Sequence, residues 1–126
     1  MNILCIVGSP RKDGRSSALM DAVIDGARAA GAITEKLYLV DQDIRPYSFA
    51  PSGPPVPKAL SALVDAADAL VIGAPVYWGD INGLTKDFCD GVQLSAASGK
   101  PALGFAVAGG SGKGLLSGVQ SLYHWF

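Results

Sequence analysis

The sequence opens with residues suited to binding a phosphate group. An apolar run at positions 3–7 ends in a Gly-Ser-Pro turn, and a polar loop follows it. The loop supplies two arginines and three serines: Ser9, Arg11, Arg15, Ser16 and Ser17. We expect Ser16 and Ser17 to cap the helix that comes next. Because backbone N–H groups and the positive end of a helix attract anions, a strand, a polar loop and a helix start in this order predict a phosphate site.

Two later stretches, PVYWGDING and GGSGKG, also follow apolar runs. In the first, Tyr77 and Trp78 stand between Pro75 and Gly79, which suits an aromatic ring system. The second is rich in glycine, so its backbone can approach a ligand closely. One phosphate together with one flat heteroaromatic ring describes a mononucleotide, and flavin mononucleotide (FMN) fits well. The alternative for Tyr77 and Trp78 is packing in the core or an oligomer contact.

Two other nucleotide motifs do not match. A triphosphate-binding loop needs Gly-x-x-x-x-Gly-Lys followed by Ser or Thr. Here Gly112-Lys113 has Val107 five positions before it and Gly114 after it. The Gly-x-Gly-x-x-Gly dinucleotide fingerprint is missing after the first strand, where only Gly8 and Gly14 occur, so a dinucleotide-binding domain is not expected.

No side chain is nominated as catalytic and no metal site is predicted. Cys5 and Cys89 show neither metal-ligand spacing nor a disulfide framework, and each falls in an apolar element as a small core residue. His124, the only histidine, is expected to be packed or at the surface. Without a Ser-His-acid set, hydrolytic chemistry has little support.

Strand and helix patterns alternate four times, which predicts a parallel sheet with helices on both faces. The strands are predicted at 3–7, 33–40, 69–74 and 101–108, the second being polar enough for an edge. Helices are predicted at 16–30, from Pro57, around 84–92, and from 115 to the chain end. In such sheets ligands bind beyond the carboxyl ends of the strands, so all three unusual loops should meet there. The proline-rich segment 41–57 is either a stiff connector or a flap over the site.

The overall composition suggests one domain, residues 1–126, of a cytoplasmic protein. The chain is 49% hydrophobic and has a net charge of −1, so a nucleic-acid partner is not expected. The first apolar run is too short for a signal peptide, and no run is long enough to span a bilayer, so no membrane partner is expected.

Three motifs together, GSPRKDGRSS, APVYWGDINGLTKDFCD and GKPALGFAVAGGSGKG, resemble the NADPH-dependent FMN reductase family, and its iron–sulfur flavoprotein branch most. The resemblance implies a flavodoxin-like three-layer α/β/α fold with strand order 2-1-3-4. It implies that Ser9, Arg11, Arg15, Ser16 and Ser17 surround the FMN phosphate. It also implies that the isoalloxazine is lined by Pro75, Val76, Tyr77, Trp78, Gly79, Gly109, Gly110 and Ser111.

The sequence departs from the family pattern in two respects. The cysteine cluster of the iron–sulfur branch is replaced by IRPYSFAPSGPPVP, so an iron–sulfur cluster is not expected. The family's fifth strand also has no counterpart in the sequence. The fourth strand would then be an open edge of the sheet. Either a partner subunit covers this edge, or the chain is a truncated or naturally minimal form.

The expected function is that of an FMN-dependent enzyme that accepts hydride from NAD(P)H and passes electrons to a quinone, a free flavin or another small acceptor. The alternative is an electron carrier or FMN-binding module without turnover. A third possibility is a degenerate domain retained for assembly. A homodimer or a higher homo-oligomer is expected, because a short four-stranded sheet leaves surface uncovered.

Overall fold

The computed structural model of the chain describes residues 1–47, 54–92 and 94–126. Strands and helices alternate along these residues as the apolar patterns predict, apart from two additional short elements at 80–81 and 94–97. In chain order the elements are β1 (Asn2–Val7), α1 (Arg15–Ala29), β2 (Ile33–Tyr38), α2 (Lys58–Ala66), β3 (Ala69–Tyr77), β4 (Asp80–Ile81), α3 (Gly83–Gly91), α4 (Leu94–Ala97), β5 (Ala102–Val107) and α5 (Leu115–Trp125).

Parallel pairing joins four strands in the order β2-β1-β3-β5. This is the predicted arrangement, with β5 in the place of the expected fourth strand, and the more polar β2 lies at an edge. The registers align the strand ends, since Val7 is paired with Tyr38 and Pro75 with Val107. The carboxyl ends, and the loops that follow them, therefore lie along one edge of the sheet.

The prediction that a fifth strand is absent is wrong, because β3 continues to Tyr77 and the chain turns back into the short antiparallel β4. The antiparallel pairs are Val76 with Ile81 and Tyr77 with Asp80. Trp78 and Gly79 form the two-residue turn, with φ of 54° and 96°. Positive φ at both central residues is typical of a type I′ hairpin. The stretch predicted as an open loop is therefore a hairpin.

Several element boundaries also differ from the prediction. The helix α1 begins at Arg15 with Gly14 as its N-cap, so Ser16 and Ser17 lie in the first turn and do not cap the helix. The strand β2 ends at Tyr38, since Leu39–Asp41 forms a turn of 3₁₀ helix.

The segment 41–57 is described in part. Its centre, residues 48–53, lies outside the described residues. The predicted flap includes these residues and therefore stays a prediction. At its ends, the backbone N–H of Arg45 donates a hydrogen bond to the carbonyl of Pro55 at 2.9 Å. The two arms of the segment are therefore joined to each other.

Alternate side chains of β1 enter different cores, which makes the fold three-layered. Cys5 and Val7 pack with Met20 of α1 on one face of the sheet. Leu4 and Ile6 pack on the other face, in a larger cluster that includes residues of α2, α3 and α5. The sheet thus lies between helices on both faces.

Candidate functional site

A cavity of about 390 Å³ lies at the carboxyl edge of β1, β3 and β5. Its lining comes from the three loops that the sequence predicts to converge: Ser9, Arg11, Asp13, Gly14, Arg15, Ser16, Pro75, Val76, Tyr77, Val107, Ala108 and Gly109. Its volume falls in the range of small-molecule sites, and its place in the sheet is the one at which open α/β folds bind ligands.

One end of the cavity is the N-terminus of α1. The side chains of Ser9 and Ser16 are buried there, and the backbone N–H of Arg11 donates to Ser9 Oγ at 3.1 Å. Arg11 and Arg15 are exposed, and the Arg11 guanidinium lies 3.8 Å from the Asp13 carboxylate. Because the first N–H groups of a helix have no partner within the helix, this end presents donors and cations to an anion.

Ser17 points to the other side of α1 and does not line the cavity. Its hydroxyl lies 2.9 Å from Tyr38 Oη and accepts a hydrogen bond from Lys36 Nζ at 2.8 Å. Lys36 Nζ also donates to the Asp21 carboxylate at 2.6 Å. Ser17 therefore joins the first turn of α1 to β2, a contact that the sequence did not predict.

The same contacts shift the titration of two side chains. The hydrogen bond from Lys36, and then that from Ser17, lowers the pKa of Tyr38. Partial burial acts to lower the pKa of Lys36, but the hydrogen bonds to Asp21 and Tyr38 outweigh it and raise that pKa overall. The ammonium groups of Lys36 and Lys12 also lie over the Tyr38 ring, at 5.0 and 5.4 Å from its centroid. Each of these ammonium groups is also paired with a carboxylate at 2.6 Å, Lys36 with Asp21 and Lys12 with Asp41.

The opposite end of the cavity is formed by Pro75, Val76 and the half-exposed Tyr77. Trp78 and Gly79, at the tip of the hairpin, do not line it, and Trp78 has a relative exposure of 106%. The hairpin is held to α5 because the Ser121 hydroxyl donates to Asp80 Oδ1 at 2.7 Å. An apolar and aromatic wall thus faces the cationic end.

The third loop contributes Gly109, together with Val107 and Ala108 at the end of β5. The predicted residues Gly110 and Ser111 lie farther along this loop, are exposed and do not line the cavity. The sequence pattern places Val107 and Ala108 in a buried strand and therefore does not predict that they line the cavity. Asp13 and Gly14 also line the cavity and lie outside the predicted set, which contains the cations and hydroxyls around them.

A buried polar group lies beneath the cavity. Asn82 Nδ2 donates to the carbonyl oxygen of Gly8 at 2.9 Å, and Thr85 Oγ1 donates to Asn82 Oδ1 at 2.6 Å. Asn82 and Thr85 are 4% and 0% exposed. They connect the start of α3 to the end of β1, and no motif in the sequence marks them.

Both cysteines are free and buried, as expected. Burial, and then the neighbouring Asp90 carboxylate, raises the pKa of the Cys89 thiol to about 12. Burial likewise raises the pKa of Cys5. Since the thiolate is the reactive form, neither cysteine is suited to nucleophilic chemistry. His124 is exposed on α5, outside the cavity.

The profile of the family described as NADPH-dependent FMN reductase matches residues 1–126. The chain belongs to this family. This confirms the predicted family, the class of enzyme, and FMN with NAD(P)H as the cofactors.

Individual proteins agree with the family match. The chain is 32% identical over 127 residues to an NADPH azoreductase of Bacillus sp. (strain OY1-2), covering 98% of this chain and 67% of that protein. It is 26% identical over 144 residues to an iron-sulfur flavoprotein of Methanocaldococcus jannaschii, covering 100% of this chain and 72% of the other. The chain thus spans about two thirds to three quarters of the length of these relatives.

Solved structures agree on the fold. An NADH:FMN oxidoreductase in its apo form superposes with a TM-score of 0.75 at 21% identity, covering 98% of this chain and 68% of that one. A flavodoxin from the Archaea superposes with a TM-score of 0.72 at 15% identity, covering 99% and 72%. These likenesses confirm the predicted flavodoxin-like architecture. No helix in the described part of the chain has the length and hydropathy needed to cross a bilayer.

Proposed function

We propose that this chain binds FMN in the cavity at the sheet edge and uses it to carry electrons from NAD(P)H to a quinone, a free flavin or another small acceptor. One observation carries the proposal. The cavity has a cationic, donor-rich end at the start of α1 and an apolar, aromatic end at the β3–β4 hairpin. A phosphate joined to a flat ring system matches both ends.

The residues present fit FMN. At the phosphate end, Ser9 and Ser16 supply hydroxyls, while Arg11 and Arg15 supply charge in addition to the N-terminus of α1. At the ring end, the lining consists of the apolar and aromatic residues Pro75, Val76 and Tyr77 together with Gly109, whose chemistry suits an aromatic ring system. Ser17, Trp78, Gly79, Gly110 and Ser111 stay predictions as FMN contacts, and each lies outside the cavity lining.

FMN supplies the redox chemistry when bound, and the protein supplies position and electrostatics. Arg11 and Arg15 would balance the phosphate charge, and the half-exposed Tyr77 would offer a ring for contact with the ring system. Asp13 is the only carboxylate among the described cavity-lining residues, and its ion pair with Arg11 is exposed to solvent. No lining residue is therefore assigned the part of an acid or a base.

The proposal is tested by adding the protein to FMN and following flavin fluorescence, then adding NADPH without oxygen and following flavin absorbance. We expect quenching, followed by bleaching. Fluorescence that stays unquenched would overturn the proposal at the level of binding. Quenching without bleaching would leave an FMN-binding module and overturn the reductase activity.

Self-association and a cytoplasmic location are part of the proposal. Leu116 and Tyr123 lie seven positions apart on α5 and are 72% and 49% exposed, and Trp78 adds a further exposed apolar side chain. Exposed apolar area of this kind often marks a protein contact. Light scattering should give the mass of at least two chains, and Leu116→Lys should reduce it. Two free thiols agree with a reducing compartment.

A further inference from the structure

Gly8, Asn82 and Thr85 form a hydrogen-bonded group, here called the Gly8 clasp, between the first loop and the hairpin. The carbonyl of Gly8 accepts from Asn82 Nδ2 at 2.9 Å, and Thr85 Oγ1 lies 3.4 Å from the same oxygen. Thr85 Oγ1 is closer to Asn82 Oδ1, at 2.6 Å, so its single proton goes mainly to the amide oxygen. The partners are 74 residues apart in the chain.

The clasp leaves no room for variation at its centre. A Cβ on Gly8 would overlap the Thr85 hydroxyl, so only glycine fits between β1 and α3. The N–H of Gly8 donates to the carbonyl of Gly73 at 2.8 Å, which holds the other side of the residue. The removal of one member leaves the hydrogen-bonding groups of the others unsatisfied. Because these groups are buried, the loss of a partner is costly.

The clasp joins the two ends of the cavity through side chains, in addition to the backbone pairing of β1 with β3. Gly8 directly precedes Ser9 at the phosphate end. On the other side, the backbone N–H of Asn82 donates to the carbonyl of Pro75 at 3.1 Å, and Pro75 begins the wall for the ring. Asn82 thus bonds with its side chain to the first loop and with its backbone to β3.

We propose that Asn82 and Thr85 are positioning residues that fix the spacing between the phosphate end and the ring end of the cavity. The inference rests on the proposed FMN binding. A ligand that contacts both loops gains affinity when their spacing is fixed in advance, because its second contact is made at high effective concentration. A ligand that contacts one loop alone does not depend on that spacing.

Thr85→Val tests this, since it removes the hydroxyl and keeps the shape of the side chain. We expect the Kd for FMN to rise about tenfold, which corresponds to about 1.4 kcal/mol. The Kd for lumiflavin, which has the ring system without a phosphate, should change less than about twofold. Thr85→Ser restores the hydroxyl and should bind FMN as the wild type does.

Val64→Ala provides the control for a loss of stability alone. Val64 is 0% exposed, lies in α2 and does not line the cavity. Its substitution should destabilise the fold and leave both affinities unchanged. The inference would be overturned if Thr85→Val weakened the binding of FMN and of lumiflavin equally, or weakened the binding of neither.

Amide hydrogen exchange of the ligand-free protein supplies a second readout. Thr85→Val should increase exchange at Gly8 and at Asn82, whose N–H groups donate to the carbonyls of Gly73 and Pro75, and leave exchange at Ile24 of α1 unchanged. Unchanged exchange at Gly8 and Asn82 would overturn the clasp. If the wild type fails to bind FMN, the proposed function falls, while the exchange experiment still decides whether the clasp fixes the two loops.

Discussion

The backbones of Gly79 and Gly114 are in contact, so close that a Cβ on Gly114 would lie 2.5 Å from the Cα of Gly79. Gly79 is the second residue of the hairpin turn, and Gly114 is the N-cap of α5, with φ of 84°. The rim of the ring end is therefore built by two loops that touch through their main chains. A side chain at position 114 would separate them.

Gly114→Ala should lower the free energy of unfolding by about 1–3 kcal/mol through backbone strain alone, the usual cost of a strained conformation. The contact with Gly79 adds to this cost. Urea unfolding measures the effect, and Gly26→Ala is the matched control. Gly26 lies inside α1 with open space around its Cβ position, so its substitution should stabilise the protein by about 0.5–1 kcal/mol. Equal stability of the two variants would contradict the tight contact.

Arg15→Ala should weaken the binding of FMN and leave the binding of riboflavin, which lacks the phosphate, nearly unchanged. Arg15 lines the cavity at the start of α1. A hydrogen bond to a charged group contributes about 1.5–3 kcal/mol, and solvent exposure places Arg15 at the lower limit, so we expect roughly a tenfold rise in the Kd for FMN. Added salt should reduce the difference between variant and wild type.

Lys58→Ala is the control for Arg15, because Lys58 is an exposed cation at the start of α2 and lies outside this cavity. It should bind FMN as the wild type does. Similar weakening by both variants would show that net charge, and not the position of Arg15, determines phosphate binding.

Much of the fold could be predicted from the sequence because its strands are continuous apolar runs. The run that contains Leu70 and Ile72 reads as a strand covered on both faces, and it is one. Once the sheet is parallel, its topology alone brings Ser9, Tyr77 and Gly109 to one edge. The convergence of three loops therefore followed from the alternation of elements.

The remaining details depend on contacts that no local pattern encodes. Ser16 and Ser17 are adjacent and chemically identical, yet the rotation of α1 directs Ser16 into the cavity and Ser17 towards Lys36. The strand β4 has two residues, too few for any periodicity. Asn82 is of a residue type that is common at the N-cap of a helix, so its sequence position does not mark it as special. Its partner Gly8 is distant in the chain.

The stability of the protein should rise with pH through a window set by Tyr38. The hydrogen bonds from Lys36 and Ser17 place its folded-state pKa below the unfolded value of about 10. Between the two values the unfolded chain keeps the proton that the folded chain has lost, so the free energy of unfolding increases with pH. This contribution is complete above the unfolded pKa and is lost as the pH falls through the folded one.

Tyrosinate absorbance measures the shift directly. The wild type should show a component that titrates below pH 10, Tyr38→Phe should lack it, and Lys36→Met should move it upwards because the largest cause of the shift is gone. Tyr77→Phe should retain it. A low component that survives in Tyr38→Phe would contradict the assignment.

Trp78→Asn should make the protein more stable and a poorer oxidoreductase. Trp78 has a φ of 54°, which costs a bulky L-residue about 1–2 kcal/mol, and Asn-Gly is a preferred pair in a type I′ turn. Because the indole is fully exposed, its removal sacrifices no packing within the chain. We therefore expect about 1 kcal/mol of added stability in urea unfolding.

A strained, exposed aromatic ring beside a cavity is a feature that folding alone does not favour, which argues that the indole serves a ligand. On the proposed function, Trp78→Asn should raise the KM for NADPH and change the Kd for FMN much less, since the ring lies at the rim and not in the lining. Trp78→Phe keeps both the strain and a ring, so it should match the wild type in stability and stay close to it in KM. An unchanged KM for NADPH in Trp78→Asn would show that the indole plays no part in the reaction. A lower free energy of unfolding in this variant would show that the indole is held by a contact with another copy of the chain.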